Sequence, residues 1–217
     1  MLKLEKCKKV FIDFDGVVVD SNRFKELAIE RSVYKLLKRK ESANKAIDYF
    51  NQNAGKSRKK KLLLFFEEKL VLKIMELYSR ECEKFFQKAL PTKGFKDFIV
   101  SIKNKKNNIL LYILSGGEKQ EIETFLLKNN LLEFFDDVLS SEKEKLDHLK
   151  EIKVSRDDIF IGDSQNDLHT AKNAGLNFIL MEEFKSKESY PSEKLIKANV
   201  FLKTKNFVTL KEKMTNE

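Results

Sequence analysis

Residues 10–21, VFIDFDGVVVDS, deliver two aspartates, one residue apart, from an apolar run to a glycine. Val10, Phe11, Ile12 and Phe14 carry apolar side chains at neighbouring positions, the pattern of a parallel strand buried on both faces. Asp13 and Asp15 fall where such a strand ends, and Gly16 gives the backbone freedom to turn away. Period-two alternation points both carboxylates the same way. Open α/β sheets bind ligands in the crevice at the carboxyl ends of their strands, so this stretch predicts a parallel-sheet core with acidic groups at its binding edge. Two carboxylates this close need a cation or a shared proton. A hard divalent cation such as Mg²⁺ suits oxygen ligands of this kind. Asp13 is then placed to act as a nucleophile, with Asp15 exchanging protons with the leaving group and water.

The same layout recurs twice. Residues 109–114, ILLYIL, end in Ser115-Gly116-Gly117, where a hydroxyl and free amides at a strand-to-helix turn can hold phosphate oxygens. Residues 159–161, IFI, end in Gly162-Asp163-Ser164-Gln165-Asn166-Asp167, with two carboxylates four apart at a helix start. Three strands therefore converge on one phosphate-sized site.

These strings, in this order, resemble the motifs of the haloacid dehalogenase superfamily of phosphatases and phosphotransferases. The resemblance implies that Asp13 forms a phosphoaspartate, Asp15 is the general acid/base and Ser115 holds the transferring phosphoryl group beside Gly116 and Gly117. It implies Mg²⁺ held by Asp13, the Asp15 carbonyl and Asp163, with Asp167 supporting from behind and Asn166 near the substrate. The family's third motif is a lysine, for which Lys145 fits the helical sequence that follows better than Lys143. No proline follows that lysine, and the connecting segment is short for the family. The second aspartate favours phosphoryl transfer over carbon–halogen chemistry.

Between the first motif and Pro91 the pattern is helical. Phe24 to Arg39, Ser42 to Gln52 and a long run from Ser57 through Phe86 carry apolar residues at helical spacing. The expected division is a catalytic core of residues 1–20 and 91–217 with a helical cap of residues 21–90, resembling the caps of many such phosphatases. Gly55-Lys56-Ser57-Arg58 is not a P-loop, because Phe50 stands where that motif needs glycine. Lys25, Ser57 and Arg58 are the candidate substrate contacts in this region. Further expectations are helices over residues 94–103, 118–127 and up to Ile152, and short strands at Asp137–Leu139, Asn177–Met181 and Asn199–Leu202. Gly175 is expected to cap the helix that follows the last motif, and the tail beyond Lys211 to fray.

No apolar run approaches the ~20 residues of a membrane span. The charged amino-terminal stretch lacks the apolar core of a secretory signal, so the expectation is a cytoplasmic protein without membrane partners. Cys7 and Cys82 form no metal or CxxC pattern and read as reduced thiols. The net charge of +9 is spread along the chain, as on a solvated surface, which weighs against a nucleic-acid partner. The reading is a Mg²⁺-dependent phosphatase of a small phosphorylated substrate, a sugar phosphate or phosphoglycolate-like ester. The residues after the first motif are also reminiscent of phosphatases in nucleotide-sugar or surface-polysaccharide synthesis. A phosphomutase of the β-phosphoglucomutase type is the enzymatic rival, and a non-catalytic basic binding protein the other.

Overall fold

The computed structural model describes residues 6–38, 40–105 and 108–215. At its centre lies β1 (Lys9–Ile12), flanked in a six-stranded parallel sheet by β2 (Leu110–Leu114) and β3 (Asp137–Leu139) on one side. On the other side follow β4 (Ile159–Gly162), β5 (Asn177–Met181) and β6 (Leu202–Thr204). The chain builds outward from β1 to β3 and then returns to the far side of β1. The reversal falls between β1 and β4, where an open sheet of this order forms its binding crevice. Ile12 pairs with both Ile113 and Ile161, and the Asp13 amide donates to the Ile161 carbonyl at 2.8 Å. The loops after β1 and β4 therefore leave the sheet side by side.

Alternation along the strands divides the core between two layers. Val10, Ile12, Ile159, Ile161, Ile179 and Met181 face one layer, with α5 (Phe95–Lys105), α6 (Lys119–Lys128) and α10 (Phe207–Thr215). Phe11, Phe160, Phe178 and Leu180 face the other, with α7 (Lys145–Ile152), α8 (Gln165–Ala174) and α9 (Glu193–Asn199). Two-sided burial explains why these strands read as unbroken apolar runs.

Between β1 and α5 come α1 (Asn22–Leu37), α2 (Glu41–Gln52), α3 (Arg58–Leu63) and α4 (Glu68–Phe86). Their apolar faces join the first layer rather than forming a separate core: the Phe86 ring lies 5.6 Å from Phe14 and 5.9 Å from Phe125. The expected single run from Ser57 to Phe86 is two helices. Phe65 and Phe66 both turn back onto the Leu62 carbonyl, which lets the fully buried Leu62 and the half-buried Phe66 reach the same apolar cluster.

Two expectations near the carboxyl terminus fail. Residues 193–199 are α9, and the last strand starts at Leu202, because Ser192 caps a helix through the Leu195 amide. The stretch beyond Lys211 continues α10, which is pinned by the fully buried Phe207 and Leu210, with the Phe207 ring 5.0 Å from both Phe95 and Phe98. Gly175 does cap α8, at φ 73°. The expected helix end at Arg39, residues 1–5 of the expected core and its last two residues lie outside the described residues.

One polar lock joins the leading ends of β1 and β4. Asp158, fully buried, accepts from the Lys8 and Lys9 amides at 3.1 and 2.9 Å and from the Ser155 amide at 2.8 Å. Alanine there strands three amide donors, so Asp158→Ala is expected to destabilise the fold by about 3 kcal/mol. Urea denaturation measures it, and a loss below about 1 kcal/mol would contradict the lock.

Candidate active site

Asp13 leaves the end of β1 buried, and its Oδ1 accepts from Lys145 Nζ at 2.7 Å. Lys145 is the first residue of α7 and also donates to Asp167 Oδ1 at 2.6 Å. Asp167 is the third residue of α8, locked in a reciprocal cap with Ser164: its Oδ2 accepts from the Ser164 hydroxyl at 2.6 Å and amide at 3.2 Å. Asp163 directly follows β4 and is buried beside Asp13. One oxygen each of Asp13, Asp163 and Asp167 lies within 4.8 Å of the others. Lys143, the rival lysine, pairs instead with Glu151 at the surface.

Three buried carboxylates thus crowd around one ammonium that pairs with two of them, and their protonation reflects it. Burial first, and then Asp167, push the Asp13 carboxyl up to about 7 against the pull of Lys145. Burial, Asp13 and Asp167 push Asp163 well above the carboxylate range, against a hydrogen bond from Asn22. Lys145 goes the other way: burial works against its charge, but Asp13 and Asp167 hold it firmly protonated.

Asp15 has different company. Its carboxylate accepts from the Ser21 hydroxyl at 2.6 Å and pairs with Lys25 of α1. Burial works to raise it, but Lys25 and Arg58, with these hydrogen bonds, hold it below its ordinary value. The two aspartates therefore differ in kind, one pushed toward the neutral form and one held ionised. Gly16, at φ 74°, makes the turn, and any Cβ there would run into Asn22 Nδ2 and the Asp163 carboxylate. Asn22 ties the turn down, donating to Asp163 Oδ2 at 2.6 Å and to the Phe184 carbonyl at 2.8 Å.

After β2 the Ser115 Oγ accepts from the Gly117 amide at 3.0 Å, folding the SGG turn beside Asp13. The segment joining α2 to α3 closes over it. A Cβ on Gly116 would sit 2.5 Å from the Gly55 carbonyl oxygen, so only glycine permits this approach. Beneath that segment is a cavity of about 60 Å³, lined on one side by Asp13, Asp15, Ser115, Gly116 and Asp163. Phe50, Arg58, Lys61 and Tyr78 line the other side. The Arg58 guanidinium grips Glu121 of α6 at 2.9 and 2.8 Å and lies 5.0 Å from the Tyr78 ring, so an ion pair ties α3 to α6 beside this cavity.

The structure thus brings together Asp13, Asp15, Asp163, Asp167, Ser115, Gly116, Lys25 and Lys145. Ser57, Gly117 and Asn166 do not line the cavity, and Ser57 makes no side-chain cap for α3. Sequence reasoning missed Asn22, Lys61, Tyr78 and Glu121. Asn22 is the residue just after the quoted string, adjacent to the turn it ties down. Glu121 carried no signal, because its partner is 63 residues away.

Residues 10–181 match the sequence model of haloacid dehalogenase-like hydrolases. The chain belongs to that family. No curated protein matches its sequence. Among solved structures, it is similar to a haloacid dehalogenase-like family hydrolase from Streptococcus pneumoniae, at 16% identity and TM-score 0.70, covering 96% of this chain and 99% of that one. A protein from Haemophilus somnus described as a predicted phosphoglycolate phosphatase is 13% identical, at TM-score 0.71, with 96% and 98% covered. CbbY from Rhodobacter sphaeroides, in complex with phosphate, is 16% identical, at TM-score 0.72, with 94% and 96% covered. At such identities the likeness establishes the fold of this hydrolase.

Hydrolases of this family generally use Mg²⁺, and the residues here fit one. Asp13, Asp163 and Asp167 present hard oxygen donors in excess of the single ammonium among them, and a divalent cation would offset the burial and mutual repulsion that drive Asp13 and Asp163 toward protonation.

The Arg58–Glu121 pair is nearly buried, with side chains 4% and 13% exposed. Glu121→Ala leaves the guanidinium without its partner and is expected to cost about 3 kcal/mol in denaturant unfolding. Adding Arg58→Met should recover part of that loss, and strictly additive losses would show the pair to be uncoupled.

Proposed function

We propose that this hydrolase is a Mg²⁺-dependent phosphatase of a small phosphate monoester, with Asp13 as nucleophile. The observation that carries the reading is the meeting, at the switch point of the sheet, of Asp13 with Lys145, Asp163 and the SGG turn. The names of the Haemophilus and Rhodobacter neighbours, one a phosphoglycolate phosphatase by description and one holding phosphate, agree with such a substrate.

Asp13, Asp163 and the Asp15 carbonyl would hold Mg²⁺, with Asp167 behind them. Bound there, it would supply positive charge to the phosphoryl oxygens. Ser115 and the Gly116 amide bind the remaining oxygens, and Lys145 neutralises charge on Asp13 as the phosphoryl group arrives. In the first step an Asp13 oxygen bonds to phosphorus as the ester P–O bond breaks, and Asp15, in the protonated minority that Lys25 and Ser21 disfavour, delivers its proton to the leaving oxygen. In the second, ionised Asp15 takes a proton from water, whose oxygen displaces the Asp13 carboxylate and releases inorganic phosphate. The hydrogen bonds from Ser21 and Lys25 favour the ionised form that this second step requires.

Helices α1–α4 serve in this reading as the cap, residues 21–90, over a core of residues 1–20 and 91–217. The Gly55 approach to Gly116 represents the closed position, which excludes water from the phosphoryl group. A cytoplasmic location completes the proposal.

Phosphate release from p-nitrophenyl phosphate and a panel of sugar phosphates and phosphoglycolate tests it. Asp13→Asn is expected to fold normally and lose at least roughly a thousandfold in kcat, the scale of losing a covalent nucleophile. EDTA should silence the wild type and added Mg²⁺ restore it. Turnover that survives either treatment would refute the mechanism.

A further inference from the structure

Lysines and arginines crowd the roof of the cavity, yet most of their charge is already answered. Among the described residues three cations are buried: Arg58, Lys61 and Lys145. Arg58 holds Glu121, and Lys145 holds Asp13 and Asp167. Lys25, beside them, holds Asp15. Lys61 alone of the buried three has no carboxylate within 4.0 Å among the described residues, although it is only 6% exposed. One turn after Arg58 on α3, it points the same way and lines the cavity.

Its ammonium carries three protons. Two go to main-chain oxygens at the end of α2, Phe50 at 3.0 Å and Asn53 at 3.3 Å, and the ammonium itself lies over the Phe50 ring, Nζ 3.6 Å from its centroid. No acceptor among the described residues takes the third. Burial, with Arg58 and Lys25 nearby, pushes Lys61 well below the usual lysine value, against the weaker pull of Asp15. A buried ammonium that lacks a counter-ion is costly unless an anion arrives to pair with it.

Building on the proposed phosphatase reading, we propose that Lys61 is the anchor for a second anionic group on the substrate, a carboxylate on the tail remote from the phosphoryl group. The cavity of about 60 Å³ favours a compact anion and a short tail over a whole sugar ring. Specificity would then be exerted by the one buried cation lining the cavity that no carboxylate answers among the described residues. Arg58, paired with Glu121, shapes the wall beside it.

The test compares two non-hydrolysable ligands that share the phosphonate and differ at the tail: phosphonoacetate, ending in a carboxylate, and 2-hydroxyethylphosphonate, ending in a hydroxyl. Calorimetry with Mg²⁺ present reads both dissociation constants for wild type, Lys61→Met and Lys61→Gln, the second in case the first fails to fold. Wild type should bind phosphonoacetate roughly tenfold or more tighter, the scale of one charge-assisted hydrogen bond. Either variant should bring the ratio near one and leave 2-hydroxyethylphosphonate binding within about twofold. A lysine that merely caps α2 would change the melting temperature and leave the ratio unmoved, which overturns the proposal. A wild-type ratio below about threefold overturns it as well, whatever the variants do. Because neither ligand is turned over, this outcome is independent of the Asp13→Asn assay: a Lys61-dependent ratio without turnover retires the phosphatase chemistry alone, and turnover without the ratio retires only the anchor.

Discussion

The site depends on one ammonium shared between two carboxylates. Lys145 reaches from the start of α7 to Asp13 after β1 and to Asp167 in the first turn of α8, and so joins three segments that are far apart in the chain. It partly compensates the burial of acidic groups that would otherwise be protonated or expelled. It leaves an excess of negative charge between Asp13 and Asp163, the two residues that flank the reversal of the sheet. That excess suits a divalent cation and a phosphoryl group together, and an apolar strand on each side holds it in place.

The helices before α5 meet the core through both chemistry and shape. Phe86 continues the aromatic packing of Phe14 and Phe125, Arg58 crosses to Glu121, and the Gly55 carbonyl rests against Gly116. The first contact is apolar and shared with the core cluster. The other two lie beside the cavity, so whatever loosens that edge also opens the site. In the proposed reading, closure and substrate recognition fall on the same few residues.

Much of this was legible in the sequence because it rested on local pattern. β1, β2 and β4 are apolar on both faces and end in Asp, Ser-Gly or Gly-Asp, and each places its catalytic candidate by position alone. Lys145 was distinguished from Lys143 by the helix that follows, and the structure puts Lys145 on Asp13 and Lys143 on Glu151. What stayed hidden depends on contacts distant in sequence or on which side of a helix faces inward. Four basic residues from Arg58 to Lys61 look like a solvated run, but Arg58 and Lys61, one turn apart, are buried with Leu62 while Lys59 and Lys60 are exposed. The stretch beyond Lys211 resembled a fraying tail because it is polar and lies at the chain end. Phe207 and Leu210, both fully buried, anchor it.

The central claim is that Asp13 is covalently phosphorylated during turnover. Mass spectrometry of the wild type, acid-quenched during hydrolysis of p-nitrophenyl phosphate with Mg²⁺ present, tests it most directly. A phosphoaspartate mechanism predicts a phosphoryl group on the peptide bearing Asp13, more abundant in Asp15→Asn, where its hydrolysis is slowed, and absent from Asp13→Asn. Steady turnover with no adduct at Asp13, or an adduct on another carboxylate, would contradict it.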